Sequence, residues 1–322
     1  MGKAAVVGVV GRTNAGKSTL VNELVGEKVS IVSPCEQTTR NTIRGIVSEA
    51  RGQLVLLDTP GLHKAVGQLG RILNRIARRS AAGTDITCVV FDASEMPQLE
   101  DIGWMERVAH EMADNPEMKA VFVLNKADKQ PFYEEEYRTA WEEIIGALGD
   151  RALPPSSESG AMGTSRPTAL LWVKAIAATE GGAKAVADAL FSLAEEGEPL
   201  FDDDIVTDYP RKLAIADVIR EKYIGKLFQE LPHELGIVVK ALREKTDKWE
   251  VKVDVLVNRD SQKPMAIGKG AAIVKAVRKA SEKELREIFG LKIELELNVR
   301  VERNWMKNER LLAEMGYLGE LV

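Results

Sequence analysis

Cysteine and histidine are scarce in this sequence. Its 322 residues include two cysteines, Cys35 and Cys88, and three histidines, at positions 63, 110 and 233. The cysteines are far apart and form no paired motif, so the sequence predicts neither a disulfide framework nor a cysteine-based metal site. The histidines lack the spacing of a zinc site. These absences exclude the disulfide-rich and zinc-binding classes of protein.

Long hydrophobic runs are also absent, since no apolar stretch approaches the roughly 20 residues of a transmembrane helix. The apolar residues 4–10 lead directly into a glycine loop. We therefore expect a buried strand there rather than a secretion signal. No arginine- and serine-rich transit segment is present. We expect a cytoplasmic protein, with peripheral contact at the inner membrane as an option. A plastid or the mitochondrial matrix is the alternative if a transit peptide was removed.

The composition is that of a soluble globular protein, with 45% hydrophobic and 29% charged residues. The length exceeds the roughly 100–200 residues of one domain, which predicts two domains. From Arg211 onward there are 23 Lys/Arg against 18 Asp/Glu, whereas the preceding residues have 21 against 31. We expect the basic second part to meet any polyanion, although ordinary surface variation gives the same asymmetry.

Hydrophobic patterning alternates between buried strands and amphipathic helices up to residue 198. Strands are predicted at residues 4–10, 45–50, 53–58, 86–92, 120–125 and 170–175. Helices are predicted at residues 17–25, 67–80, 101–111, 134–148 and 183–194. The alternation predicts a doubly wound α/β domain at residues 1–198, with ligands at the carboxyl ends of its strands.

An acidic, proline-punctuated stretch at residues 199–210 is predicted to link this domain to a second one at residues 211–322. The second domain is predicted to be α+β. Its elements are a helix at 211–229, strands at 234–242 and 249–258, a helix at 271–288, a strand at 291–302 and a helix at 304–315. A Ser/Gly/Pro-rich stretch at residues 154–167 is predicted to be a flexible surface insertion.

The sequence GRTNAGKS at residues 11–18 lies between a predicted strand and a predicted helix, as a phosphate-binding loop requires. Glycines let backbone N–H groups surround phosphate oxygens, and the helix N-terminus adds partial positive charge. Lys17 is predicted to reach the β- and γ-phosphates, and Ser18 to bind Mg²⁺. The predicted nucleotide contacts here are Gly11, Arg12, Thr13, Asn14, Ala15, Gly16, Lys17, Ser18 and Thr19.

The sequence DTPG at residues 58–61 closes a predicted strand. Asp58 is predicted to hold Mg²⁺ through water, and the N–H of Gly61 to contact a γ-phosphate. Thr59 and Pro60 are predicted to lie beside the nucleotide. A plain turn is the alternative for this motif alone, but its position after a phosphate loop favours the nucleotide site.

The sequence QTTR at residues 37–40 occupies a loop with little hydrophobic pattern. A threonine hydroxyl in this region completes the Mg²⁺ shell when a γ-phosphate is present, so the loop orders with GTP. Thr39 is favoured over Thr38, and a solvated loop is the alternative. The predicted catalytic residues are therefore Lys17, Thr39 and Gly61.

The sequence NKAD at residues 125–128 follows another predicted strand. The Asp128 carboxylate is predicted to accept the N1 and N2 protons of guanine, a pair that adenine does not offer. Asn125 is predicted to bridge to the phosphate loop, and Lys126 to belong to the same guanine loop. In this order, the three motifs indicate a GTPase rather than an ATPase.

The residue after DTPG is Leu62, which has no amide to orient the attacking water. Hydrolysis is therefore expected to be slow or to use another group. A potassium ion bound near Asn14 is one candidate for that group.

A glycine turn, AIGKGA at residues 266–271, precedes a basic predicted helix. KH modules use such a turn to clamp about four nucleotides. A tight turn before a solvated basic helix is the alternative. The predicted RNA-binding residues are Ile267, Gly268, Lys269, Gly270, Ala271, Lys275 and Arg278.

Together these segments resemble the Era family of bacterial and organellar GTPases over nearly the whole chain. The resemblance rests on GRTNAGKS, QTTR, DTPGLH, NKAD, ELPHELGIVV, SQKPMAIGKG and the closing LNVRV, NW and MGY segments. It implies a P-loop GTPase domain followed by a type II KH domain. It also implies Mg²⁺-dependent GTP hydrolysis, binding to the 3′ region of small-subunit ribosomal RNA and a role in small-subunit assembly. A monomer is expected, and some members contact membranes peripherally.

The phosphate loop of the family usually reads GRPNVGKS, so Thr13 and Ala15 are mild departures, and two further positions also depart from the family pattern. The guanine loop of the family usually contains Ser-Ala, where this chain has Ala177 and Ala178. The second glycine of the KH turn is replaced by Ala271, which restricts the backbone. A membrane-associated or signalling GTPase whose C-terminal domain binds a protein partner remains the alternative function.

Overall fold

The computed structural model describes residues 2–30, 41–60, 83–115, 117–148, 170–227 and 234–317. The chain forms two compact units. The first comprises residues 1–27, 42–63 and 77–207, and the second comprises residues 28–41, 64–76 and 208–322. Within the described ranges, no helix is long and apolar enough to cross a membrane. The predicted helix at 67–80 and the predicted insertion at 154–167 lie outside them.

The first unit is built on one mixed sheet with the strand order β2-β3-β1-β4-β5-β6. Strand β2 is antiparallel to β3, and the other neighbours in this order are parallel. A two-residue strand, β7, pairs with the start of β1. The strands are β1 (Lys3–Val10), β2 (Ile43–Glu49), β3 (Gly52–Asp58), β4 (Ile86–Asp92), β5 (Lys119–Asn125), β6 (Leu170–Lys174) and β7 (Glu195–Glu196). This sheet confirms the doubly wound α/β prediction.

Helices cover both faces of this sheet. They are α1 (Lys17–Val25), α2 (Leu99–Asp114), α3 (Glu134–Leu148) and α4 (Glu180–Leu193). Helices α2 and α3 pack on one face, around Phe91, Phe122 and Trp104, while α1 and α4 pack together on the other. Strand β4 is buried at every residue because both of its faces are covered. Its Cys88 is fully buried, and burial raises the pKa of this thiol to about 12.

The second unit has a three-stranded sheet in the order β10-β9-β8, with β9 and β10 parallel and β8 antiparallel to β9. Its strands are β8 (Gly236–Glu244), β9 (Lys248–Val257) and β10 (Lys292–Val301). Its helices are α5 (Arg211–Ile224), α6 (Gln262–Ile267), α7 (Ala272–Phe289) and α8 (Glu309–Glu314). Alternate apolar residues of β9 and β10 pack against α5 and α7, which gives this unit its main core.

The opposite face of this sheet carries a ladder of charged side chains on β9 and β10. Lys252 pairs with Glu296 at 3.1 Å, and Arg300 pairs with Asp254 at 2.9 Å. Hydrogen bonds from Lys248 and Lys292 lower the pKa of Glu294 to about 2. We call these pairs the charge ladder. Its opposite charges largely compensate one another on this face.

Three details of the second unit differ from the sequence predictions. Helix α5 ends at Ile224, before Gly225, rather than at residue 229. The predicted helix at 304–315 is divided, because the Asn308 side chain accepts a hydrogen bond from Leu311 N (3.3 Å) and caps a new helix, α8. Helix α6 was not predicted, since its six residues are too few to show a helical period.

Candidate nucleotide and nucleic-acid sites

The predicted nucleotide motifs meet at one edge of the first sheet. The phosphate loop, residues 11–16, follows β1, while Asp58 ends β3 and Asn125 ends β5. Parallel strands bring their carboxyl ends to the same edge, which is where ligands bind in such sheets. Motif residues that follow different parallel strands in the sequence are therefore neighbours in the folded domain.

Lys17 begins α1 and is buried beneath the phosphate loop. Its ammonium donates to the carbonyl oxygens of Arg12 (2.6 Å) and Gly11 (3.2 Å). Burial lowers the pKa of Lys17 to about 8, although the nearby charge of Asp58 opposes this shift. A polyphosphate would supply the charge partner that this amine requires.

Asn125 joins two loops of the site. Its Nδ2 donates to the carbonyl of Ala15 (2.8 Å), and its Oδ1 accepts from the N–H of Ala177 (2.8 Å). Gly16 has φ 103°, and a Cβ there would lie 2.2 Å from Asn125 Nδ2. Glycine is therefore required at position 16, where the phosphate loop passes close to the Asn125 side chain. The predicted bridge from Asn125 to the phosphate loop has the expected geometry.

Ser18 and Asp58 are the described residues that would hold magnesium. Asp58 is fully buried at the end of β3, and Ser18 lies in the first turn of α1. Hydroxyl and carboxylate oxygens are the hard ligands that Mg²⁺ prefers, with nucleotide phosphates and water completing the shell. Bound Mg²⁺ would neutralise charge on the phosphates during hydrolysis. The donor set fits this ion.

Other predicted nucleotide residues take different positions. Asp128 is exposed in the turn after β5, open to a base. Thr59 uses its hydroxyl within the fold, donating to Val9 O (2.9 Å). Ala177 is buried and gives its N–H to Asn125, whereas Ala178 is exposed. Of this pair, Ala178 is thus the residue open to guanine. The predicted residues Thr39 and Gly61 lie outside the described residues.

Sequence reasoning missed a charged network behind the phosphate loop. Arg12 is directed to the acidic side chains of Glu95 (2.8 Å) and Asp101 (3.1 Å). Lys126 of the guanine loop pairs with Asp92. No motif marks Asp92 or Asp101, since they lie at a strand end and in the first turn of a helix.

The predicted RNA-binding turn of the second unit joins α6 to α7. Gly268, Gly270 and Ala271 all have positive φ, of 77°, 60° and 62°. A Cβ at Gly268 would lie 2.8 Å from the backbone nitrogen of Ile273, whereas one at Gly270 would meet nothing within 4 Å. Gly268 is thus required for packing, and the Gly270 position is open toward solvent.

A surface groove of about 450 Å³ adjoins this turn. Its lining residues are Asp260, Lys263, Pro264, Ile267, Gly268 and Lys269. Lys275, Arg278, Lys279 and Arg286 are exposed along α7. Among the described residues of this unit, Arg278, Lys279 and Arg286 form no ion pair, in contrast to the lysines of the charge ladder. Of these cations, Arg278 and Lys279 lie in the half of α7 nearer the turn, whereas Arg286 lies in its last turn.

Replacing Ala271 with glycine should stabilise the second unit by about 0.5–1 kcal/mol. A left-handed conformation costs an L-residue about 1–2 kcal/mol, which the flexibility of unfolded glycine partly offsets. Urea unfolding and hydrogen exchange of α7 amides would measure the change. The control is Ala280→Gly in the interior of α7, which should destabilise by about 1 kcal/mol. A destabilised Ala271→Gly variant would contradict the prediction.

Comparison with known proteins agrees with these two sites. Residues 6–126 match the family described as 50S ribosome-binding GTPase, and residues 230–306 match the KH domain family. The GTPase Era proteins of Rippkaea orientalis and Treponema denticola are each 34% identical to this chain. The alignments cover 98% of this chain in both cases, and 92% and 99% of the two relatives respectively.

Two solved structures of Era are similar over 98% of this chain and 99% of theirs, each with 28% identity and a TM-score of 0.79. One is a complex with MgGDPNP and nucleotides 1506–1542 of 16S ribosomal RNA. The other is a point variant of the Aquifex aeolicus protein bound to GDP and AlF4⁻. These similarities cover both units of the chain.

Proposed function

The chain belongs to the Era family of GTPases, and from this membership we propose that it binds small-subunit ribosomal RNA near its 3′ end. Hydrolysis of GTP by the first unit would control this binding during small-subunit assembly. The observation that carries the proposal is the turn at residues 268–271. Three of its residues have positive φ, and an open groove adjoins it, as a turn that clamps a nucleic-acid backbone requires. The similar Era structure with 16S ribosomal RNA supports this choice of ligand.

Charge distribution within the second unit supports the same face. The charge ladder compensates the lysines of the sheet, whereas Arg278 and Lys279 project from α7 beside the turn. A phosphate backbone gains affinity from uncompensated cations, through the release of its counterions. RNA should therefore bind along the turn and the start of α7 rather than on the ladder.

Binding of the 3′-terminal segment of small-subunit ribosomal RNA tests the proposal. Fluorescence anisotropy would be measured with GDPNP and with GDP, each at two salt concentrations. We expect stronger binding with GDPNP and a fall in affinity with salt. No binding in either nucleotide state would refute the proposal and favour the protein-partner alternative.

Gly270 offers a matched pair of variants for this experiment. Asn and Asp have the same shape and both tolerate the left-handed conformation, and a side chain here meets open space. Gly270→Asp should bind RNA about 10-fold more weakly than Gly270→Asn, because its carboxylate lies close to phosphate. GTP hydrolysis without RNA should be equal in the two variants. Equal RNA affinity in both would show that phosphate does not approach this turn.

Four further properties are proposed from the sequence and the family. The protein is a monomer located in the cytoplasm, or in an organelle matrix if a transit segment was removed. It contacts the inner membrane only peripherally. Potassium near Asn14 increases hydrolysis, because Leu62 has no amide to orient water. Equal hydrolysis rates in potassium and sodium buffers would exclude the last point.

A further inference from the structure

Arg12 is a phosphate-loop residue whose side chain is bound by acidic groups. Its Nε lies 3.1 Å from Asp101 Oδ2, and its Nη2 lies 2.8 Å from Glu95 Oε2 and 3.6 Å from Asp92 Oδ2. The Arg12 side chain is 14% exposed, Asp92 is 4% exposed and Asp101 is fully buried. Removing one member of a buried ion pair destabilises a protein, because the other charge is left buried and uncompensated.

Asp101 is held rigidly in this network. Its Oδ2 accepts from the backbone N–H of Gln98 (3.1 Å) and lies 3.1 Å from the Tyr137 hydroxyl. Burial raises the pKa of Asp101, while the Arg12 charge opposes that rise. The carboxylate is therefore fixed by α2 and α3, and it anchors Arg12 to those helices.

Asp92 is shared between the two nucleotide loops. Its Oδ2 pairs with Lys126 of the guanine loop and lies 3.6 Å from Arg12 of the phosphate loop. Its Oδ1 accepts from Ser94 Oγ (2.5 Å) and Ser94 N (3.2 Å), so the carboxylate has a single orientation. The fixed Asp92 carboxylate thus sets the distance between Arg12 of the phosphate loop and Lys126 of the guanine loop.

The backbone of Arg12 connects this network to Lys17. The Arg12 carbonyl accepts a hydrogen bond from Lys17 Nζ at 2.6 Å. Any movement of the Arg12 side chain that rotates its peptide therefore displaces the acceptor of Lys17. Phosphate contacts by backbone N–H groups in the loop depend on the same peptide orientations.

We infer that Arg12 is a positioning residue for guanine nucleotides, joining the phosphate loop through Asp92 and Asp101 to the guanine loop. Its side chain is engaged by the carboxylates of Asp92, Glu95 and Asp101. Arg12 thereby fixes the spacing between the two loops, so the loops need little reorganisation when nucleotide binds. Preorganisation of this kind acts mainly on the dissociation rate.

The alternative is that the pair of Arg12 and Asp101 only stabilises the fold. Three variants separate the two roles: Arg12→Met, Asp101→Asn and the double variant. Arg12→Met leaves the buried Asp101 carboxylate without its cation, and Asp101→Asn leaves Arg12 with Glu95 and Asp92 alone, so each single variant should lower the melting temperature. The double variant removes both charges, while the amide oxygen introduced by Asp101→Asn still accepts from Gln98 N. It should recover at least half of the lost melting temperature.

Nucleotide dissociation is the deciding measurement, made with a fluorescent GDP derivative on the full chain without RNA. We expect GDP to leave Arg12→Met about 10-fold faster than wild type, and the double variant about equally fast. If the double variant recovers its melting temperature but still releases GDP rapidly, Arg12 is a positioning residue. Recovery of slow release together with the melting temperature would overturn the inference and leave a structural pair.

A buried ion pair in the second unit provides the matched control. Arg220 and Asp217 are 2.8 Å apart, with side chains 3% and 5% exposed. Asp217→Asn should destabilise its own unit and leave GDP dissociation within twofold of wild type. Faster release from this variant, equal to that from Arg12→Met, would show that loss of any buried pair has the same effect and would also overturn the inference.

Discussion

Replacement of Asp128 with asparagine should transfer the preference of the protein from GTP to XTP. The carboxylate accepts two guanine protons, and a charged hydrogen bond contributes about 1.5–3 kcal/mol. We therefore expect GTP affinity to fall about 100-fold. Xanthine has a carbonyl in place of the guanine amino group, and an Asn amide donates to that oxygen while accepting from N1–H. Competition of GTP and XTP against a fluorescent GDP derivative would measure both changes.

Asp203→Asn is the control for this substitution. Asp203 is an exposed aspartate of the same unit, so its loss makes an equal change in net charge. The Asp203→Asn variant should bind GTP with the affinity of the wild-type protein. If Asp128→Asn bound GTP as tightly as this control, the carboxylate would not be reading the base, and NKAD would not explain the guanine preference.

Replacement of Asn125 with aspartate should weaken GDP binding about 100-fold at pH 8 and much less at pH 5.5. An ionised carboxylate lacks the donor to Ala15 O and repels that carbonyl. A protonated carboxyl supplies one donor and one acceptor, which are the two roles that the amide fills toward Ala15 and Ala177. Burial raises the pKa of the introduced carboxyl, so the folded protein keeps its proton above the pH at which the unfolded chain loses it.

The sign of the pH effect on stability follows from that shift. Below the unfolded pKa both states are protonated, and the variant should be close to wild type in free energy of unfolding. As pH rises through the raised folded pKa, the stabilising contribution of the bound proton is lost. GDP affinity relative to wild type at each pH, with thermal unfolding, would measure the effect. A loss that is independent of pH would contradict this account.

Asn115→Asp is the matched control for Asn125→Asp. The Asn115 side chain accepts from the N–H of Glu117 at 3.1 Å. A carboxylate accepts that hydrogen bond equally well, so GDP affinity should be unchanged at both pH values. Because Asn115 is the C-cap of α2, the added negative charge should cost no more than about 1 kcal/mol of stability. The contrast between the two asparagines isolates the donor role of the buried one.

Much of the first unit was predictable because its strands are short apolar runs that end in motif residues. Strand β4 and helices α1 and α3 begin and end where the hydrophobic pattern predicts. The phosphate loop, Asp58 and Asn125 were placed together by strand order alone. The same reasoning identified the turn at residues 268–271 from its glycines and the basic helix that follows.

Other features depend on contacts that a single sequence does not reveal. Asp101 lies in an acidic first turn, where an N-terminal cap explains it locally, and its pairing with Arg12 spans 89 positions. The left-handed conformation of Ala271 is another case, since alanine gives no sign of positive φ. The structure shows Ala271 as the N-cap of α7 with φ 62°, where its N–H donates to Gly268 O at 3.0 Å.

The charge ladder has a consequence for self-association. Within the described residues, strand β10 is an edge of its sheet, and the Glu282 side chain accepts from one of its backbone groups, Leu295 N–H (2.9 Å). Sheet edges are sites where copies of a protein join into fibrils. Lys292, Glu294 and Glu296 occupy that strand, already paired with side chains of their own chain. An incoming strand would have to dehydrate these ions. Side chains that neutralise one face of the sheet therefore also protect its edge from cross-β growth in concentrated solutions.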